Sequence, residues 1–277
     1  AVKMGKVIFV MVDALGYETA TKRAGYLEHL VTHNKAAKYK MQGDLPAASR
    51  PMYETLMTGL PAWMHGVTMN DVVRESRCEN IFSLCKKQGL VTAAAAFGWI
   101  CELYTGKYPF DPYTDRILDQ PRGNLDCGIF YQNCDYPDSE LYADGEYLRK
   151  KYHPDFLLIH PMNVDTIGHG YGCLSKEYQG AADASFQQIA RLCEDWREDG
   201  YDVIVTGDHG MDTLGLHGGN EAVQRDVPLY ILSDQVKKGD FTDHEISNLQ
   251  AAPLVCRLLG IPLSEGMIQE NQIEMEN

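Results

Sequence analysis

Three short apolar runs in this chain each lead into a carboxylate or an imidazole, and no other feature constrains the fold as much. Lys6–Val12 (KVIFVMV) runs into Asp13. Asp155–His160 (DFLLIH) is followed by Asp165 and His169 in the segment DTIGHG. Tyr201–Thr206 (YDVIVT) is followed by Asp208 and His209 in TGDHGM, and His217 comes shortly after in LHGG. Runs this short, continuous and rich in β-branched residues read as strands buried on both faces. Such strands belong to a mostly parallel sheet with helices on both faces. Open α/β sheets bind ligands outside the carboxyl ends of their strands. Three carboxylates and three imidazoles are therefore expected at one edge of one sheet.

The rest of the 277 residues fits this α/β reading. Helices are expected over Tyr17–His33, from Pro51 to Met57, over Ile81–Gln88, from a Ser175 cap to Glu198, and over Ser247–Leu259. Further strands are expected at Ala36–Met41, Leu90–Ala96 and Val227–Leu232. The whole of 1–277 reads as one domain without internal repeats. One stretch breaks the alternation. Gly98–Tyr152 holds eight tyrosines with little periodicity. It is expected to form a cap or insertion over the sheet edge, functional or mobile as long loops usually are; a decorated surface excursion is the alternative.

Charge narrows the partners. The chain carries 25 Lys and Arg against 39 Asp and Glu, a net charge of −14. That argues against a nucleic acid polymer held on a basic face. It leaves open a small anionic substrate held by metal ions, because a bound cation can dominate the local charge. No window of about 18 apolar residues suggests a membrane span. The run Val7–Val12 is too short for a signal-peptide core and passes into Asp13 without a small-residue cleavage site. The eight cysteines are scattered and form no C-x-x-C pair, which reads as free thiols in a reducing compartment. A cytoplasmic location without membrane contact is the resulting expectation.

Hard carboxylates combined with neutral imidazoles suit zinc, manganese or iron rather than calcium. Six such ligands are too many for one tetrahedral site and suit two metals sharing one anion. Singly, each residue has a plainer reading: Asp13 as a helix cap, Asp208–His209 as a turn, any one histidine as a core residue. Their joint placement favours the metal reading. The nucleophile candidate is Ser49 in ASRPMYETLMTG. A hydroxyl at a helix N-terminus faces free N–H groups and the positive end of the helix dipole, which favours an alkoxide and a bound phosphate. The alternative is a simple N-cap. Arg50, next in sequence, either points inward to favour an additional negative group or is a solvated surface charge.

These motifs resemble the alkaline phosphatase superfamily, and within it the nucleotide pyrophosphatase/phosphodiesterase branch. The resemblance rests on Asp13, Ser49, Thr58-Gly59, His65-Gly66-Val67, Asn70, Asp165-x-x-Gly168-His169, Asp208-His209-Gly210-Met211, His217 and Val227-Pro228-Leu229. It extends from Asp13 to Met267, leaving out Gly98–Tyr152. It implies an alkaline-phosphatase-like fold and two divalent metals, zinc first, with manganese or iron as alternatives. One metal would be held by Asp165, His169 and His217. The other would be held by Asp13, Asp208 and His209, with the Ser49 oxygen bridging toward it. Ser49 would form a covalent phosphoseryl ester while Asn70 holds a phosphoryl oxygen. The implied activity is phosphodiester hydrolysis of a small phosphate ester, with phosphomonoesterase or phosphonate hydrolase as alternatives.

The sequence also departs from the pattern. Met52 stands where the branch has an Asn close behind the nucleophile. The interval from Asp208-His209 to His217 is short, and is similar to that of the ethanolamine-phosphate transferases that build glycolipid anchors. A sulfatase would need Arg where Tyr53 stands and a second early Asp where Ala14 stands. A phosphoglycerate-mutase-like enzyme would need a large inserted domain. A metal-binding pseudoenzyme or interaction module is the rival of another class.

Overall fold

The computed structural model describes residues 4–277; the chain start at Ala1 lies outside the described residues. Strand β1 (Lys6–Val12) lies in the middle of a single sheet. Val7, Phe9 and Met11 enter one apolar layer while Ile8, Val10 and Val12 enter the other. Both faces of the strand are buried, which is why its sequence is a continuous apolar run rather than an alternating one.

From β1 the chain makes α1 (Tyr17–Arg23), α2 (Gly25–Thr32), β2 (Ala37–Gln42) and α3 (Ser49–Thr58). It continues through the single turn α4 (Ala62–His65), α5 (Ile81–Lys87), β3 (Thr92–Phe97), α6 (Gly98–Thr105) and the short α7 (Pro112–Asp115). Then come β4 (Ile117–Leu118), β5 (Cys127–Tyr131), α8 (Asp138–Tyr152), β6 (Phe156–Ile159), α9 (Asn163–Tyr171), α10 (Lys176–Glu198) and β7 (Tyr201–Gly207). The last elements are α11 (Ala222–Arg225), β8 (Asp226–Leu232), β9 (Gly239–Asp240), β10 (Ile246–Ser247) and α12 (Ala251–Leu259).

The sheet order is β10-β2-β8-β7-β1-β6-β3-β5-β4, with β9 also on β2. The five central strands, β7 to β5 in that order, run parallel, and β8 is antiparallel to both its neighbours. Helices α3, α5, α6 and α12 cover one face; α1, α2, α8 and α10 cover the other. This is the mostly parallel, doubly covered sheet expected from sequence. Among the described residues no helix is long and apolar enough to cross a membrane. The eight cysteines are free thiols.

Three elements differ from expectation. The helix expected over Tyr17–His33 is two helices, broken at Ala24 (φ −81°, ψ 57°) just before Gly25. Gly25 is itself the first residue of the second helix, so the turn is made at Ala24. The stretch Gly98–Tyr152, expected as a cap, is largely part of the sheet and its helical layers. Its strand β5 pairs with β3 in parallel register, and its helix α8 sends Leu141, Tyr142 and Leu148 into the core. The period was hidden because the buried face of α8 also includes Gly145 and Arg149. Arg149 is buried by pairing with Glu146 and Asp199. Helix α9, not expected at all, carries Asp165 and His169 one turn apart.

Helix α3 is buried along its whole length, including Arg50, Glu54, Thr55 and Thr58. Tyr104 donates its hydroxyl to Glu54 Oε1 at 3.1 Å, but Glu54 Oε2 has no partner. Burial pushes the Glu54 carboxyl up from 4.5 to about 7. The folded state thus binds this proton more tightly than the unfolded chain. Stability from this group is complete below pH about 4.5 and is lost as pH rises through about 7. The loss is on the order of 3 kcal/mol. Glu54→Gln, uncharged at every pH, should gain that amount over the wild type between pH 5 and pH 8 in urea unfolding. A stability difference independent of pH would show that the carboxyl does not titrate in this range.

Candidate active site

Strand register places the first two carboxylates. Val12 lies beside Gly207 in the parallel pair β1–β7, so Asp13 and Asp208 leave adjacent strands at the same level. Val10 lies beside Ile159 in the pair β1–β6, which puts His160 on the other flank. The Asp13 N–H donates to the Pro161 carbonyl at 3.1 Å. Ala14 then takes a left-handed conformation at φ 61°, which costs energy in a residue with a Cβ. That turn lets its N–H donate to Asp208 Oδ1 at 2.9 Å, beside the N–H of His209 on the same oxygen. Gly210 is needed at the next corner, because a Cβ there would sit 2.0 Å from the Val223 carbonyl oxygen.

The imidazoles arrive by two further routes. Asp165 and His169 share one face of α9 through their i, i+4 spacing. His217 is returned by a tight loop in which Asp212 Oδ1 accepts the N–H groups of Leu214 and Leu216, both at 2.8 Å. The short interval noted in the sequence is therefore bridged by a self-bonded loop. Ser49 is the first residue of α3, and Ala48 occupies the cap position without a side-chain bond. The N-cap reading of Ser49 does not hold. Its Oγ lies 3.0 Å from His209 Nε2 and 3.3 Å from Asp13 Oδ1. Asn70 stands beside it, its Oδ1 accepting the Arg50 N–H at 2.9 Å, which leaves the amide nitrogen as a donor.

All seven candidate ligand residues come together. The ligand atoms of Asp13, Asp208 and His209 lie within 4.8 Å of one another, as do those of Asp165, His209 and His217. His169 closes on the second group, its Nε2 lying 3.2 Å from His217 Nε2 and 3.4 Å from Asp165 Oδ1. The first group is fully buried; the second opens to solvent through the half-exposed His169.

Three observations fit these residues to divalent ions. Asp165 Oδ1 and Asp208 Oδ2 are buried without a hydrogen-bond partner, a rare condition for a carboxylate oxygen. Each of the three imidazoles places Nδ1 against a backbone carbonyl: His209 on Gly210 at 2.7 Å, His217 on Ala47 at 2.9 Å, His169 on Gly215 at 2.8 Å. That arrangement fixes the tautomer and turns Nε2 inward, as in metal-ligating histidines. Finally, two inward Nε2 atoms face each other at 3.2 Å, which calls for a proton or a cation between them.

The charges are arranged unequally. Burial opposes ionisation of Asp13, yet hydrogen bonds from His160 and His209 hold its carboxyl well below the usual range. Burial and the charge of Asp13 push Asp208 well above it. His209 is raised to about 10: burial works against its charge, but Asp208 and Asp13 outweigh burial. His217 is lowered to about 4 by burial and by its neighbour His209. Metal binding would have to displace the proton on His209.

Arg50 follows neither reading offered by the sequence. It is buried, its Nη1 lies 3.0 Å from Glu102 Oε1, its Nε donates to the Asn70 carbonyl at 2.7 Å, and its guanidinium covers the Trp99 ring at 4.3 Å. It is neither solvated nor free for substrate. Two residues of the site were missed in the sequence. His160 Nε2 and the Tyr53 hydroxyl both bond Asp13 Oδ2, the former at 2.8 Å. The available signals were position alone: His160 ends its apolar run, and Tyr53 lies one helical turn from Ser49.

The model of the type I phosphodiesterase / nucleotide pyrophosphatase family matches residues 7–226, and the chain belongs to that family. This is the branch of the alkaline phosphatase superfamily that the motifs resemble. Human GPI ethanolamine phosphate transferase 3, catalytic subunit, is 25% identical over 305 residues, covering 99% of this chain and 26% of that protein. GPI ethanolamine phosphate transferase 1 of Aspergillus oryzae is 35% identical over 219 residues, covering 73% of this chain and 21% of that protein. The chain thus spans about a quarter or less of the length of these curated relatives. Murine ectonucleotide pyrophosphatase / phosphodiesterase 5 in complex with AMP superposes with a TM-score of 0.72 at 13% identity, covering 94% of this chain and 96% of that one. A phosphonate monoester hydrolase from Silicibacter pomeroyi superposes with a TM-score of 0.63 at 14% identity, covering 97% and 76%. At these identities the structural likenesses establish the shared fold.

The Arg50–Glu102 pair generates a stability prediction. Glu102→Ala leaves a buried guanidinium without its carboxylate, and such a loss costs about 3–5 kcal/mol. Replacing both partners by methionine should cost clearly less than Glu102→Ala alone, measured by chemical denaturation. Equal costs for the two variants would show that the ion pair itself is not what Glu102 supplies.

Proposed function

We propose that this chain cleaves phosphodiesters with two divalent metals and a covalent phosphoseryl ester on Ser49. The observation that carries this reading is the place of the Ser49 hydroxyl, 3.0 Å from His209 Nε2 and 3.3 Å from Asp13 Oδ1 at the head of α3. Asp13, Asp208 and His209 would hold the ion nearer Ser49, and Asp165, His169 and His217 the other. When bound, such ions activate a hydroxyl or a water and offset phosphate charge. Zinc heads the candidates because three imidazoles share the site with carboxylates; manganese and iron accept the same donors.

The remaining work falls to the chain itself. Ser49 Oγ gives up its proton and forms the bond to phosphorus as the bond to the leaving oxygen breaks, so that the first product departs as an alcohol carrying that proton and the phosphoseryl ester keeps the second ester group. Attack by water, or by an alcohol, then releases the phosphoryl group and restores the serine. The Asn70 amide, held in place by the Arg50 N–H, donates to a non-bridging phosphoryl oxygen. The neutralised Arg50 supports a diester over a monoester, because Glu102 already takes up the positive charge that a phosphate dianion would need nearby. The partner is therefore a small anionic phosphodiester rather than a nucleic acid polymer. Transfer to an alcohol instead of water is the second reading. It is favoured by the match to GPI ethanolamine phosphate transferases.

Chelator-stripped protein, reloaded with zinc or manganese, should hydrolyse bis-p-nitrophenyl phosphate faster than p-nitrophenyl phosphate. Ser49→Ala should keep close to two metal equivalents and lose at least about 10³ in kcat. Adding a primary alcohol to the diester reaction and measuring the mixed alkyl p-nitrophenyl diester against p-nitrophenyl phosphate separates transfer from hydrolysis. Turnover by Ser49→Ala at the wild-type rate would end the phosphoseryl reading. A metal-loaded wild type that turns over none of these esters would favour a non-catalytic metal-binding module.

A further inference from the structure

We propose that His160 is a positioning residue that makes Asp13 a one-ended metal ligand, with Tyr53 as its partner in that task. The proposal rests on the two-metal reading above and concerns a residue that is itself not a ligand.

The molecule holds four imidazoles around Asp13 and Asp165, and they are wired in two opposite ways. His169, His209 and His217 each turn Nδ1 to a backbone carbonyl and present Nε2 to the site. His160 does the reverse. The Phe97 N–H donates to its Nδ1 at 3.3 Å, so that nitrogen carries the lone pair and Nε2 carries the proton. The Nε2–H then donates to Asp13 Oδ2 at 2.8 Å. A ring fixed as a donor in this way has no lone pair left for a cation.

The Tyr53 hydroxyl donates to the same oxygen. Asp13 Oδ2 is thus engaged by two donors arriving from different places in the fold, one just past the end of β6 and one on α3. Oδ1 is left facing Ser49 Oγ and His209 Nε2. With two directional bonds on one oxygen, the carboxylate can neither swing to chelate through both oxygens nor rotate away. The donors are themselves braced. The rings of Tyr53 and His160 meet edge to face at 4.7 Å, and the Tyr131 hydroxyl donates to the His160 carbonyl at 2.6 Å. His160 is fully buried, and no exposed polar role competes with this one.

Groups that orient metal ligands in this way typically contribute 10–100-fold to metal affinity. The test is calorimetric titration of zinc into chelator-stripped wild type, His160→Leu, His160→Gln and Tyr53→Phe, with circular dichroism to confirm folding. His160→Leu should weaken one of the two zinc equivalents by about 10–100-fold and leave the other within about threefold. His160→Gln, whose side-chain amide can donate from the place of Nε2, should restore most of that loss. Tyr53→Phe should weaken the same equivalent, and in the Asp165→Asn background the single remaining equivalent should show the same ordering of variants. Wild-type affinity for both equivalents in His160→Leu, or an equal loss from both, overturns the proposal. So does failure of His160→Gln to bind better than His160→Leu. Should His160→Leu not fold, wild-type zinc affinity in both Tyr53→Phe and the Asp165→Asn/Tyr53→Phe pair overturns it. A wild type that takes up no zinc at all defeats the two-metal reading instead, and is told apart by that result alone.

Discussion

The pairing of Val12 with Gly207 brings two carboxylates, Asp13 and Asp208, to the same level at the buried end of adjacent parallel strands. Like charges so placed repel each other strongly where water is excluded. Much of the surrounding structure is a response to that constraint. Ala14 adopts a left-handed conformation to aim its N–H at Asp208. His209 donates to Asp208 from its own backbone and faces Asp13 with its ring. His160 and Tyr53 converge on the remaining oxygen of Asp13. The outcome is asymmetric: Asp13 is held toward its ionised form while Asp208 is driven toward its protonated one. The orphaned oxygens of Asp165 and Asp208, beside three imidazoles that turn Nε2 inward, are the groups a divalent ion would satisfy.

The two ligand groups differ in depth, and that difference follows from the elements that carry them. Asp13 and Asp208 sit on strand ends in the middle of the sheet, so their group is sealed. Asp165 and His169 sit on α9, outside the sheet, and His217 on a surface loop, so theirs meets solvent. An ester approaching from outside would meet the shallow group before the serine. Helix α3 closes the site from the other face of the sheet. It carries Ser49, Arg50, Tyr53 and Glu54 within two turns, all buried. Packing that many polar groups into one buried helix requires partners from several elements: Asn70 and Glu102 for Arg50, Asp13 for Tyr53, Tyr104 for Glu54. Only Glu54 is left with an unpaired oxygen, and burial raises its pKa.

The sheet was legible because its central strands are buried on both faces and leave continuous apolar runs of a few residues. The candidate ligands were legible because each follows such a run or keeps helical spacing. What could not be read were elements whose burial depends on partners distant in sequence. Helix α8 hides its period behind Arg149, which is buried only because Glu146 and Asp199 neutralise it. The break at Ala24 depends on one backbone angle. Arg50 posed a choice between substrate and solvent, and the structure took neither, because Glu102 and Trp99 lie about 50 residues away and nothing local announces them.

Histidine shows most clearly where a sequence stops being informative. His160 and His209 are the same residue type, each beside a strand end and each within hydrogen-bonding distance of Asp13 or nearly so. What separates a potential ligand from a donor is the group on the far side of the ring. A backbone carbonyl on Nδ1 leaves Nε2 its lone pair; a backbone N–H on Nδ1 leaves Nε2 its proton. For His209 the far group is the Gly210 carbonyl, and for His160 it is the Phe97 N–H. The Phe97 N–H is supplied by β3, which joins β6 through a pairing that begins more than 60 residues earlier in the chain. The chemical role of an imidazole in this site is thus set by strand order, and strand order is a property of the whole sheet.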